Sequence, residues 1–158
     1  MHSRTEAFVE RSRREYDFDP SVEEFPEGTK TAEDAANAIG CSVAQIASSL
    51  AFDVGDRLVV AVTSGANRVD EGALAAYLGV DESAVSMADP DRIKTELGWS
   101  IGGVPPFCHD RDVPVVIDET LLEFDTVWAA AGTPMAVFSI DPSTLRTYAE
   151  GEVLSLAE

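Results

Sequence analysis

The sequence predicts one α+β domain built on a mixed, mostly antiparallel sheet. Three observations predict it. Helical and strand patterns are interspersed along the chain. Several strand patterns are joined by tight-turn signals, Gly55-Asp56 and Gly132-Thr133-Pro134 among them, which favours antiparallel neighbours over a doubly wound parallel sheet. The length of 158 residues suits a single domain, 1–158, with a core of its own.

The elements follow in order. Residues 3–16 read as a helix with Phe8 and Val9 on its apolar side, the lead-in ending at Asp17 to Pro20. Residues 22–25 suit a short strand. Thr31 is a good N-cap for a helix over 32–39, which Gly40 ends. Ser42 and Gln45 make a capping-box pattern for a second short helix. Residues 50–54 and 57–62 flank Gly55-Asp56 as a hairpin, and 58–62 is apolar on both faces, so that strand should be buried. Residues 70–78 read as a helix stopped by Gly79, and 84–87 as a short strand. Asp89 caps a helix with Pro90 in its first position and Gly98 after its end. A glycine-proline loop, 102–107, comes next. Strands are expected over 113–117, 126–130, 135–140 and 153–156, with a turn at Leu121-Leu122. Asp141 and Pro142 begin the last helix.

Twenty-nine acidic residues against eleven basic ones give a net charge of −18, and lysine is confined to Lys30 and Lys94. An acidic, lysine-poor surface around an ordinary core fits a protein adapted to high salt, where a Debye length of about 3 Å at 1 M removes self-repulsion. No basic stripe offers a non-specific nucleic-acid surface, so any contact with RNA should be local. No apolar run approaches the ~20 residues that span a bilayer, and the charged start is not a signal peptide. Cys41 and Cys108 make no disulfide framework. The chain is expected to be soluble, cytoplasmic and reduced.

Four segments carry a resemblance. They are Gly28-Thr29-Lys30-Thr31-Ala32-Glu33-Asp34-Ala35-Ala36 followed by Ile46-Ala47-Ser48-Ser49-Leu50-Ala51-Phe52; Thr63-Ser64-Gly65-Ala66-Asn67-Arg68-Val69-Asp70; Ile101-Gly102-Gly103-Val104-Pro105-Pro106-Phe107; and Val116-Ile117-Asp118-Glu119-Thr120-Leu121-Leu122 leading to Ala131-Gly132-Thr133-Pro134. In order and spacing, over residues 28–150, they resemble the YbaK family of aminoacyl-tRNA deacylase domains. The resemblance implies a barrel-like sheet with surrounding helices. It also implies hydrolysis of wrongly charged aminoacyl-tRNA by a free-standing enzyme with no metal or organic cofactor. The partners implied are the aminoacyl-tRNA acceptor end and an aminoacyl-tRNA synthetase, with no membrane.

An ester hydrolase of this kind needs an activated water and donors for the oxyanion, not a nucleophile of its own; no G-x-S-x-G elbow is present. Glycines let a backbone approach a small substrate closely and prolines stiffen it, so loop 102–107 suits a pocket wall. On the resemblance, Ser48, Gly102 and Gly132 are the catalytic candidates. Asn67, Gly103, Val104, Pro105, Pro106, Phe107, Asp118 and Thr133 are the substrate-binding ones. The chain departs from the family at Ser48, where deacylases carry a lysine two residues before the leucine, and at Cys108, where many relatives have glycine. Serine donates a hydrogen bond but carries no charge; Arg68 is the cation that could replace the lysine. The plain structural reading of Ser48 is a small polar residue at a helix end. His109 either faces the pocket or is a solvated loop histidine, and Cys108-His109 lacks metal-ligand spacing. The alternatives are a non-catalytic binding module on the same fold and a hydrolase of another small ester or amide.

Overall fold

The computed structural model describes residues 2–25 and 31–158. Gly28, Thr29 and Lys30 of the first resemblance segment lie outside the described residues.

Helix α1 (Ser3–Tyr16) begins at His2, whose Nδ1 accepts from Arg4 N–H at 3.0 Å, and ends at Asp17 in the left-handed conformation. It is followed by β1 (Ser21–Glu24), α2 (Ala32–Ile39), β2 (Ile46–Val54), β3 (Arg57–Ser64), α3 (Glu71–Leu78), β4 (Val85–Met87), α4 (Pro90–Leu97), β5 (Val115–Asp118), β6 (Val127–Ala130), β7 (Ala136–Ile140), α5 (Pro142–Ala149) and β8 (Glu152–Leu154). The helix starts follow their capping chemistry. Thr31, Asp70 and Asp141 each accept from the backbone N–H three residues on, and Asp89 from that of Asp91. Gly40, Gly79 and Gly98 end α2, α3 and α4 with positive φ, a region open to glycine without a Cβ penalty.

The eight strands form one sheet in the order β1-β7-β6-β2-β3-β5-β8, with β4 also on β2. Pairs β1–β7, β2–β3, β2–β4 and β6–β7 are antiparallel; β2–β6, β3–β5 and β5–β8 are parallel. The mixed α+β sheet expected from the sequence is therefore present. β3 is buried on both faces. Leu58, Val60 and Val62 enter the larger core under α1, α4 and α5, while Val59 and Ala61 enter a second core with Leu74, Ala75 and Leu156. In the larger core Phe8 packs on Trp99, Phe107 and Phe138, and Phe107 also meets Tyr16, Phe18 and Tyr148. Burying a ring of this size contributes roughly 1.5–3 kcal/mol, so α1 is held by Phe8 more than by its own propensity.

Two expectations change. The capping box at Ser42 and Gln45 closes only one 3-10 turn, Val43–Gln45, and the chain is extended from Ile46 onward. Ser48 is therefore inside a strand, paired with Thr63 of β3, and not at a helix end. The cause is long-range: β3 runs on to Ser64 and supplies a partner for residues 47–49, whose small side chains give no strand signal alone.

Candidate active site

A cavity of about 510 Å³ opens where β2 passes from one neighbour to the next. Residues 46–51 of β2 form its floor. Thr31, Ala32 and Ala35 of the α2 region make one wall, and Trp128, Ala130, Ala136 and Val137 of β6 and β7 another. Ile101, Gly102, Val104 and Pro134 form the cover, with Met87 and Ile93 beyond. Ile101 is 53% exposed, at the mouth. The described lining is mostly apolar, and among the described residues its hydroxyls are those of Thr31, Ser48 and Ser49. Among the described residues no charged or titratable side chain lines it.

The cover consists of two glycine turns pressed together. Gly102 has φ +86, and a Cβ there would come within 3.3 Å of Pro134. A Cβ on Gly103 would meet the Thr133 backbone at 2.7 Å. Gly132 has φ +89 and lies against the carbonyl of Arg4 and the ring of Trp99. The backbones touch at Gly103 and Thr133 because Gly103 carries no side chain there, while Pro134 packs its ring on Gly102.

The sequence-selected residues divide accordingly. Ser48, Gly102 and Val104 line the cavity. Gly103 and Gly132 stand behind it, and Thr133 faces a smaller cavity of about 370 Å³ on the far side of the 132–136 turn, where its Oγ1 accepts from Met135 N–H. Pro105 and Pro106 are buried, and Phe107 is at the centre of the aromatic core. Asn67 and Asp118 meet each other away from the cavity. Asp118, fully buried, accepts from Asn67 Nδ2 at 2.9 Å, Ser64 N–H at 3.2 Å, Thr63 Oγ1 at 3.3 Å and Thr120 N–H at 3.0 Å. Burial pushes this carboxyl's pKa up, but the hydrogen bonds from Asn67, Thr120 and Ser64 outweigh it and hold it below the usual value. The clasp fixes residues 63–67, and Gly65 within them packs on Ala32 and Ile46 of the cavity wall.

Arg68 is exposed, its carbonyl accepting from Glu158 N–H, and does not line the cavity. Lys94 is exposed on α4. His109 is neither pocket-facing nor a free loop histidine: its Nε2 is 2.8 Å from Pro105 O, bracing the loop, and burial lowers its pKa. The Cys108 thiol is buried and pushed up to about 11, chiefly by burial, so it stays protonated at neutral pH and is no nucleophile. Cys108 has φ +67, a conformation that glycine adopts without strain. Trp99 belongs to the core, donating from Nε1 to Cys108 O at 2.8 Å, while Trp128 is a cavity wall.

Sequence reasoning missed Ser49. It lines the cavity, and its Oγ is buried with no hydrogen-bond partner. Its one available signal was its place beside Ser48, and the neighbours on β2 that expose it come from distant parts of the chain.

The chain matches the aminoacyl-tRNA editing domain over residues 26–148. It is 32% identical over 133 residues, 84% of this chain and 83% of the relative, to the uncharacterized protein YwhH of Bacillus subtilis. A solved structure named a "putative trans-editing enzyme for prolyl tRNA synthetase" superimposes with a TM-score of 0.93 at 33% identity, covering 100% of this chain and 99% of the other. The hypothetical protein APE2540 shares the fold at a TM-score of 0.84 and 22% identity, over 96% of this chain and 99% of that one. Among the described residues no helix is long and apolar enough to cross a membrane. With its mixed sheet, paired glycine turns and mostly apolar open cavity, the chain belongs to the aminoacyl-tRNA editing domain family, hydrolases that remove an amino acid from tRNA.

Proposed function

We propose that the chain deacylates mischarged aminoacyl-tRNA in trans, in the cytoplasm, with the aminoacyl group held between Ser48-Ser49 of β2 and the cover formed by Gly102, Val104 and Pro134. The observation that carries this reading is the cavity itself: apolar, uncharged over its described lining, and edged by strand and turn backbones. Such a lining favours a small uncharged side chain, since an ionised one would be desolvated without a partner. The structural relative's name makes mischarged tRNA for proline the first substrate to assay, and prolyl-tRNA synthetase the first partner.

The described lining holds no histidine, cysteine, carboxylate or amine. In this reading the attacking water is held by backbone groups of the turns, with backbone N–H groups facing the developing oxyanion. Contact with the rest of the tRNA is slight. Eleven basic residues face twenty-nine acidic ones, and Arg11, Arg13, Arg14, Arg92 and Arg111 are paired with acids of the protein itself, so the surface offers phosphates little net positive charge.

The test is hydrolysis of a panel of mischarged tRNAs in about 1 M KCl. At least tenfold acceleration over the spontaneous rate on one member is expected. No turnover on any member, by folded protein, would sink the reading. The second reading, a binding module, is favoured by the uncharged Ser48 in place of the family lysine. It predicts ligand binding without turnover and activity gained in Ser48→Lys; native turnover excludes it.

A further inference from the structure

Strand β2 has two edges. Along one, β3 pairs with it from Ala47 to Val54. The other is shared: β6 pairs with Ile46 and Ala47, and β4 with Phe52, Asp53 and Val54. Which main-chain groups face the shared edge follows from two hydrogen bonds. Ile46 C=O accepts from Gly65 N–H, on the β3 side, at 2.8 Å; Ala51 C=O accepts from Ala88 N–H, on the β4 side, at 3.0 Å. Main-chain groups alternate between edges along a strand. Ala47, Ser49, Ala51 and Asp53 therefore turn theirs to the shared edge. Ala47 meets β6, Ala51 meets Ala88, and Asp53 stands opposite Ser86 of β4. Ser49 is left with its N–H and C=O facing the opening, and among the described residues no strand stands across from it. Its hydroxyl is in the same condition, buried and without a partner, and the residue lines the cavity. Buried polar groups are nearly always bonded. Three open groups on one residue mark where a ligand supplies the partners.

We infer that Ser49 receives the aminoacyl group as a one-residue β-strand that completes the sheet between β6 and β4. In a hydrogen-bonded antiparallel pair, two residues exchange both N–H···O=C bonds. An aminoacyl ester carries the matching groups on a single residue: an α-ammonium that donates and an ester carbonyl that accepts. Ser49 C=O takes the ammonium, Ser49 N–H donates to the ester carbonyl, and Ser49 Oγ accepts a second ammonium hydrogen. The antiparallel direction points the ammonium towards Ala88 and the ester towards Ala130. This pairing rests on the deacylase reading and adds a substrate rule to it. It gives an α-ammonium its acceptors in a cavity whose described lining has no carboxylate. It also limits the length of the acyl group, because Ala88 stands opposite Ala51, two positions along β2, and β4 follows it, so a chain extended beyond the ammonium runs into them. Aminoacyl esters enter; peptidyl and Nα-acylated esters do not. Strand addition to an open edge is a common recognition mode, here shortened to a single residue.

The probe is 3′-(L-alanylamino)-3′-deoxyadenosine, which has a stable amide in place of the ester, titrated into the full chain in about 1 M KCl and followed by amide NMR. At saturation the Ser49 amide proton is expected to move downfield and to exchange more slowly. The Nα-acetyl form of the probe should bind about tenfold more weakly or worse, and Ser49→Ala about 5–30-fold more weakly, with Ser49→Thr restoring most of the affinity. Ser49→Ala should also raise the melting temperature of the free protein, because it removes an unpartnered buried hydroxyl, a rise that a purely structural serine would not produce. An unmoved Ser49 amide at saturation, or native affinity in Ser49→Ala or for the acetylated probe, overturns the pairing. So does a wild-type protein that deacylates tRNA but does not bind the probe. In each case measured deacylation by the same preparation leaves the functional reading standing; loss of both binding and turnover removes both.

Discussion

Asp118 shows at the residue scale how a side chain outside the cavity shapes it. Its carboxylate gathers the end of β3, Asn67 and the Thr120 turn, and the residues it fixes carry Gly65 against Ala32 and Ile46. Removing it leaves several buried donors unpaired, each costing about 1–3 kcal/mol less whatever relaxation recovers. Asp118→Ala is therefore expected to lower the unfolding free energy by about 2–4 kcal/mol, measured by urea denaturation. A loss below about 0.5 kcal/mol, the range of an ordinary surface substitution, would contradict the clasp. The pH dependence has a definite sign. The folded pKa of Asp118 lies below the unfolded value, so its contribution is complete above about pH 4 and is lost as the pH falls through the folded value. Burial also lowers the folded pKa of His109. Proton uptake by the unfolded chain therefore drains stability as the pH falls below about 6.5. Asp118→Ala should abolish its part of the decline below about pH 4 and leave the decline that begins near pH 6.5. The Asp118 signal was partly visible in the sequence, as an acid at a strand end able to orient turn amides. Its partners Thr63, Ser64 and Asn67 were not, since they lie more than fifty residues away.

Among the elements, the cover of the cavity rests on the contact between the 102–104 and 132–134 turns. Gly103 has backbone, not a flexible side chain, in the place its Cβ would take. Gly103→Ala must separate the two turns, at a cost of about 1–3 kcal/mol, typical of overpacking. Because Gly102, Val104 and Pro134 line the cavity, the same substitution should lower kcat/KM for deacylation at least tenfold even where the protein remains folded. Thermal melting and single-turnover hydrolysis read the two effects separately; native activity in a destabilised Gly103→Ala would show that the cover does not shape the site. Both turns were marked in the sequence by their glycines and prolines. That they touch was not, because nothing local relates residue 103 to residue 133.

On the scale of the whole molecule, charge dominates. At −18 the folded chain repels itself, and ion pairs such as Arg11–Asp110 and Arg92–Asp53 relieve only part of it. Raising KCl from about 0.1 M to about 1 M shortens the Debye length from about 10 Å to about 3 Å. The melting temperature is expected to rise by several degrees over that range, and by more than it does for a near-neutral control of similar size. A flat or falling profile would remove the case for adaptation to salt.

The sequence by itself determined the elements and the chemical boundaries of the function. Caps at Thr31, Asp70, Asp89 and Asp141, stops at Gly40, Gly79 and Gly98, and the doubly apolar run of β3 are local rules that the chain obeys where they occur. The order of the glycine-proline motifs was enough to suggest the family, which the match over residues 26–148 supports. Tertiary structure alone decided which motif residues reach the cavity. Phe107 went to the core because an apolar ring gains most where water is excluded. Ser48 and Ser49 became strand because β3 was long enough to pair with them. The opening beside Ser49 exists because β6 stops and β4 begins on either side of it. Strand pairing joins segments distant along the chain, so the gap between two partners is recorded in no single stretch of sequence.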